Sequence, residues 1–196
     1  MARTLHHDSF IDAITKLADF TDTEIAVIDQ KFATRDIKRK TNLLRPGAIA
    51  REVYYIYSGC MRLYYEKDGE DISAYFFTEG MFAGAYDSFM TAQPSRHAIE
   101  ALEDCHMRVI SQSDFQSLFT LVPHMNELVR KIVEERFISL HQLFTSHLLD
   151  SPEERYRGLL EHRPDLLRRV PQHQIATFLG VTPVSLSRIK GRVARS

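Results

Sequence analysis

Between Ala33 and Ile110 no apolar run is long, and each is followed closely by a turn signal. Short segments rich in Tyr, Phe, Ile and Val alternate with Arg45-Pro46-Gly47, Ser58-Gly59, Lys67-Asp68-Gly69, Glu79-Gly80 and Gln93-Pro94-Ser95. Such punctuation leaves room for strands of a few residues and not for helices of several turns. The stretch YYIYSGCMRLYYEKDGEDISAYFF, Tyr54 to Phe77, holds several strand-length runs, and Asp68-Gly69 is a two-residue hairpin turn that needs positive φ. Many short strands at this spacing predict a double-sheet barrel or jelly roll.

Helical periodicity frames this region. Residues 8 to 32 read as helix, with Phe10, Ile11, Ile14, Leu17 and Ala18 on one face and a capping box, Thr21 with Glu24, opening a second short helix. Helix returns after Ser113-Asp114, and Pro123 to Leu149 is the longest helical stretch. There Val133, Phe137, Leu140, Phe144 and Leu148 form one apolar row, while Glu127, Arg130, Lys131, Glu134 and Glu135 mark a wet side. That row is enough to pack the helix on its own domain. A second row, Met125, Leu128, Val129 and Ile132, is left for a twin helix from another subunit, unless both rows lie on the parent barrel. Ser151-Pro152-Glu153-Glu154 starts a new helix and places a domain boundary. The expected architecture is α+β: a jelly-roll sensor over residues 1–122, a dimerisation helix over 123–150 and a small helical domain over 151–196.

From Gln172 to Val193, QHQIATFLGVTPVSLSRIKGRV contains no carboxylate in a chain whose formal net charge is −1. Its apolar residues Ile175, Leu179, Val181, Leu186 and Ile189, with Ala176 and Gly180, suit a helix-turn-helix. Two short helices crossing closely need a small residue at the contact, Ala176, and a turn residue tolerant of positive φ, Gly180. Thr182 then caps a second helix that starts at Pro183 and exposes Val184, Ser185, Ser187, Arg188, Lys190 and Arg192. Hydroxyls followed by cations suit a major groove, where a carboxylate would be repelled by the phosphates. Arg155, Arg157, Arg163, Arg168 and Arg169 extend the basic character upstream.

Other classes are disfavoured. Cys60 and Cys105 lack CxxC spacing and read as buried thiols, and the nine histidines form no HExxH signature, so no metal and no cofactor is expected. A jelly-roll enzyme would need clustered His and carboxylates on its strands, which offer Tyr, Phe and Ile instead. With 44% apolar and 26% charged residues, no membrane-spanning run and no signal-peptide core at the N-terminus, the chain reads as a cytoplasmic globular protein.

The segments YYIYSGCMRLYY, EGMFAGAYDSFMTAQPSRHAIEALEDCHMRVIS and LGVTPVSLSRI, in that order, make the chain resemble the Crp/Fnr superfamily, the relatives of the cyclic-AMP receptor and the fumarate-nitrate regulator. The resemblance implies a cyclic-nucleotide-binding-like jelly roll, a long dimerisation helix and a C-terminal DNA-binding domain. It implies a homodimeric transcription regulator that binds double-stranded DNA. The competing reading is a small-ligand module whose C-terminal helices contact another protein.

Departures from the family pattern bear on the ligand. Where members that bind cyclic AMP carry Gly-Glu-Leu, this chain has Gly84-Ala85-Tyr86, without the ribose carboxylate. Ser95 falls where the phosphate-pairing arginine belongs, with Arg96 one place later, and a one-residue shift on extended chain turns a side chain to the other face. Gly84, Ala85, Tyr86, Ser95 and Arg96 remain the expected effector pocket, for something other than cyclic AMP. His97 and His106, the histidines that could hold haem, are expected to be satisfied or solvent-facing. In the recognition helix Pro183-Val184 replaces the family's Arg-Glu, while Ser185 and Arg188 sit where Thr/Ser and Arg are common. With Ser196 soon after that helix, the phosphate contacts of a wing hairpin are expected from Gln172 and His173.

Overall fold

The computed structural model describes residues 10–195. Its strands are β1 (Ala33–Ile37), β2 (Asn42–Leu44), β3 (Glu52–Ser58), β4 (Met61–Lys67), β5 (Glu70–Phe77), β6 (Phe82–Ala83), β7 (Ala98–Ala101) and β8 (Cys105–Ser111). They make two antiparallel four-stranded sheets, ordered β1-β8-β3-β6 and β2-β7-β4-β5. Strands β3 and β4 are consecutive in the chain yet lie in different sheets, which produces the expected jelly roll. The hairpin at Asp68-Gly69 joins β4 to β5 with Lys67 opposite Glu70, and both turn residues have positive φ (54° and 81°), as a type I′ turn requires.

Strand β3 departs from simple alternation: Tyr54, Tyr55 and Ile56 are all buried, so both of its faces are covered. The cover on the Tyr55 side is Phe10 of α1 (Phe10–Thr15), whose ring lies 5.3 Å from Tyr55 and 4.5 Å from Phe32. The helical region expected from residue 8 is two helices, α1 and α2 (Asp22–Lys31), and residues 8 and 9 lie outside the described part. Helix α2 carries the expected capping box: Thr21 Oγ1 accepts from Glu24 N–H, and Glu24 Oε2 accepts from Thr21 N–H at 2.9 Å. Glu24 also holds the His124 ring at 2.8 Å, and these hydrogen bonds, the Thr21 N–H foremost, pull its carboxyl down to about 2.

After α3 (Tyr86–Thr91) and α4 (Gln112–Leu121), α5 runs from Met125 to Leu149. Its two apolar rows have changed places relative to expectation. Met125 and Leu128 are buried, and Val129 and Ile132 pack on the jelly-roll core. Val133, Phe137, Leu140, Phe144 and Leu148 face outward, Phe137 at 68% and Phe144 at 62% exposed. The short row won the core because it directly follows the Val122 turn that binds the helix start to the jelly roll. A contiguous apolar stripe of this size on a surface asks for a partner.

The last helices are α6 (Pro152–His162), α7 (Pro164–Arg169), α8 (Gln172–Phe178) and α9 (Pro183–Val193). Ser151 caps α6 with the expected capping box to Glu154. Their core, including Tyr156, Ile175, Ala176, Leu186 and Ile189, is continuous with Cys60, Phe76 and Leu102 of the jelly roll. Helix α8 lies along β5: Thr177 Oγ1 accepts from Ser73 N–H at 3.2 Å, and Phe178 meets Phe76 at 5.2 Å. Beside this junction Arg62, 2% exposed, is neutralised by Glu100 (2.6 Å) and Asp71 (2.8 Å). Both thiols are buried, and burial pushes Cys60 up to about 12 and Cys105 to about 11, leaving them protonated and inert. No helix among the described residues is long and apolar enough to cross a membrane.

Candidate nucleic-acid interface and effector cavity

Helices α8 and α9 meet as a helix-turn-helix. Ala176 is fully buried at their contact, and Gly180 adopts φ +68° at the turn. Val181 N–H returns to Ala176 C=O at 3.0 Å, and Gly180 N–H to Thr177 C=O at 3.1 Å, closing α8 in a Schellman-type cap. Arg155 then donates to the free Leu179 carbonyl at 2.9 Å. A Cβ at Gly180 would come no closer than 3.7 Å, to an Arg155 nitrogen, so Gly180→Ala tests backbone strain alone. It is expected to cost about 1 kcal/mol, read as a small drop in melting temperature with no change in oligomeric state.

Thr182 Oγ1 accepts from Ser185 N–H at 3.2 Å and caps α9. Leu186 and Ile189 point inward, which leaves Val184 (63% exposed), Ser187 and Arg188 on the outer face, with Ser185 and Lys190 half-buried at its edges. Gln172 and His173 are exposed at the start of α8. Arg192 is exposed but held by Glu153 at 2.8 Å. Among the described residues Arg188 and Lys190 have no carboxylate partner, so α9 presents uncompensated positive charge behind a row of hydroxyls.

The upstream arginines do not simply extend that patch. Arg157 pairs with Glu153, Arg163 with Asp165, and Arg169 with Glu79 and Glu103, while Arg155 serves carbonyls; Arg168 is exposed. Sequence count overstated the free cations, because the partners, from two residues away for Arg163 to a distant loop of the jelly roll for Arg169, emerge only with the fold.

A second feature is a cavity of about 470 Å³ between the jelly roll and α5. Gly84 and Tyr86 line it. Ala85 is buried at the start of α3, and Ser95 is buried with its Oγ donating to His97 C=O at 2.8 Å; neither lines the cavity. Arg96 is exposed and also outside it. The walls are aromatic and aliphatic, among them Leu63, Phe77, Phe82, Ile132, Phe137 and Leu140.

Among the polar residues of the cavity, Arg136 escaped the sequence reading and His97 departs from its expectation. His97, 5% exposed, leaves Nε2 without a hydrogen bond, 3.6 Å from Asp87 Oδ1, so it is neither satisfied nor solvent-facing. Burial lowers its pKa, with Asp87 opposing, which makes it a neutral imidazole at pH 7. His106 does match expectation, with Nδ1 2.6 Å from Asp36. Arg136 donates to Phe82 C=O at 2.8 Å and lies over the rings of Tyr75 (4.7 Å) and Phe77 (5.0 Å). Burial pulls its pKa down, Tyr75 opposing. The available signal was spacing: Arg136 follows Ile132 by four residues and so continues the inward row of α5.

Residues 34–120 match the family model "Cyclic nucleotide-binding domain". No curated protein matches the chain in sequence. Among solved structures, the chain is similar to the c-di-GMP-responsive global regulator CLP of Xanthomonas campestris, at 19% identity over 88% of this chain and 91% of that one, TM-score 0.70. It is similar to FixK2 from Bradyrhizobium japonicum at 16% identity over 84% and 85%, TM-score 0.70. A third is the Thermus thermophilus catabolite activator protein, at 18% over 93% and 87%, TM-score 0.57. The fold is that of the Crp/Fnr transcription regulators.

Proposed function

We propose that the chain is a homodimeric DNA-binding transcription regulator of the Crp/Fnr type whose jelly roll responds to an effector other than cyclic AMP. The observation that carries this is α9, capped by Thr182 and presenting Val184, Ser187 and Arg188 outward, with no carboxylate partner for Arg188 among the described residues. Arg188 suits guanine edges or phosphate, the hydroxyls suit either, and Val184 suits a thymine methyl. The α8 N-terminus, with Gln172 and His173 exposed, suits a phosphate.

Two copies joined along the outer row of α5 would set two α9 helices for successive major grooves, about 34 Å apart on a roughly palindromic site. An effector that favours one arrangement of the pair shifts DNA affinity by the same coupling energy. Cyclic AMP is disfavoured because the family's ribose carboxylate has no counterpart and Arg96 stands outside the cavity.

The test is anisotropy titration on duplexes selected from a random pool. Arg188→Ala is expected to weaken the selected duplex about 10- to 100-fold, as loss of a bidentate base contact does. Binding to unrelated duplexes should fall much less. Equal affinity of the two proteins for the selected duplex would remove α9 as the reading element.

A further inference from the structure

We infer that the effector is an apolar carboxylic acid whose carboxylate pairs with Arg136 and whose body fills the cavity between the jelly roll and α5. This rests on the reading of the chain as an effector-controlled regulator and specifies the chemistry of its ligand.

The cavity, about 470 Å³, has the size of a small-molecule site, which generally spans roughly 300–1,000 Å³. Its walls exclude a polar ligand body: a sugar or nucleotide placed among Leu63, Phe77, Phe82 and Ile132 would leave hydroxyls without partners. Polar groups that do face the space are few. Asp87 is negative, and His97 is buried and neutral.

Arg136 is the cation of this wall. Its protein contacts are one carbonyl and two aromatic rings, with no carboxylate among the described residues. Three other sheltered arginines of the same chain are neutralised by carboxylates: Arg62 by Glu100 and Asp71, Arg108 by Asp29, Arg169 by Glu79 and Glu103. A desolvated guanidinium left with one carbonyl and two ring faces is a costly arrangement that a ligand anion relieves, and a planar carboxylate fits its fork.

Position adds a length. Tyr75, beneath Arg136, is paired across the sheet with Leu63, and the His97 ring lies 5.5 Å from Tyr65, two residues further along β4. Two residues of strand are about 7 Å. A ligand held by Arg136 and reaching the free His97 Nε2 therefore needs an extended apolar body, not a short acid such as acetate. Phe137 and Leu140 line the cavity and also belong to the outer row of α5, so occupancy acts directly on the surface proposed to join two copies.

The experiment uses decanoate and decanol as probes, titrated by calorimetry into the full chain at pH 7.5 without DNA. Decanoate should bind with 1:1 stoichiometry per chain, and decanol about 10- to 150-fold more weakly, the factor for losing a hydrogen bond to a charged group. Arg136→Gln should bring decanoate down to the level of decanol. Because Arg136→Gln could also perturb α5, the acid–alcohol comparison on the unaltered chain stands as an independent readout. Equal binding of acid and alcohol, no decanoate binding at 1 mM, or cyclic AMP displacing decanoate at equal concentration would each overturn the inference. Loss of the Arg188 effect on DNA, by contrast, would overturn the regulator and leave the ligand result standing.

Discussion

Glutamate at both Phe137 and Phe144 is expected to leave the chain folded and make it monomeric. These side chains are mostly exposed in the single chain, at 68% and 62%, so a charge there meets water and costs the fold little. In a pair of α5 helices the same positions would be one heptad apart on the facing seam, with the copies brought together by a twofold axis. Four carboxylates would then enter an apolar contact with no cation arranged to meet them. Of the cations of α5, Arg130 is engaged by Glu134 and Lys131 by Glu127, while Arg136, next to Phe137, is turned inward onto Phe82 C=O and the rings of Tyr75 and Phe77. Burying unpaired polar charge on this scale should weaken self-association by about 4 kcal/mol or more, roughly a thousandfold. Sedimentation equilibrium of the double variant reads this directly, with circular dichroism as the check on folding. A regulator that grips two half-sites would lose most of its duplex affinity in parallel. A variant that still sediments as the unaltered chain does would assign the outer row of α5 another role.

How much of this was legible beforehand depended on whether a feature was local. The hairpin at Asp68-Gly69, the capping boxes at Thr21 and Ser151 and the Thr182-Pro183 start of α9 are decided by a few neighbouring residues, and each stands where the sequence placed it. The turn at Gly180 belongs with them. Features set by distant partners were not legible in the same way. Periodicity revealed both apolar rows of α5, but which one meets the jelly roll depends on how Val122 and Met125 are anchored, and periodicity carries no information on that. Arg136 was missed, and His97 was expected to be satisfied or solvent-facing, for the same reason. An arginine on a helix and a histidine at a strand end look ordinary until the fold shows that one lacks a carboxylate and the other a hydrogen bond. Likewise Arg163 and Arg169 counted as free charge in the sequence, although α7 carries Arg169 onto two glutamates of the jelly roll.

That last contact leads to the second large effect, expected from Arg169→Ala. The guanidinium grips Glu79 with two parallel hydrogen bonds, 2.7 and 2.8 Å, and Glu103 through Nε at 3.0 and 3.1 Å and Nη2 at 2.6 Å. Glu79 accepts a further bond from Gly59 N–H at 2.8 Å. Both carboxylates are largely sheltered, with side chains 19% and 32% exposed, so truncating the arginine leaves two like charges facing each other at the junction of α7 with the jelly roll. Breaking a fully buried pair costs about 3–5 kcal/mol; with this residual solvent access about 2–3 kcal/mol is expected, or roughly 5–10 °C in melting temperature. Hydrogen exchange should quicken most in α6 to α9, while β3 and β8 keep their protection. Acid should reproduce the loss in the unaltered chain. Burial alone would raise the Glu79 carboxyl, but the hydrogen bonds from Arg169 and from backbone N–H groups together outweigh it and leave it below its ordinary value. A depressed carboxyl contributes its stability above the unfolded value of about 4.3 and loses it as pH falls through the folded one, so the difference between Arg169→Ala and the unaltered chain should shrink below about pH 4. Arg169→Lys cannot restore the fork and should recover little. Combining Arg169→Met with Glu79→Gln and Glu103→Gln removes the stranded charges as well. If that triple variant regains most of the lost stability, the cost of Arg169→Ala was the unpaired carboxylates; if it does not, the arginine holds α7 by packing, and the acid dependence should then be absent too.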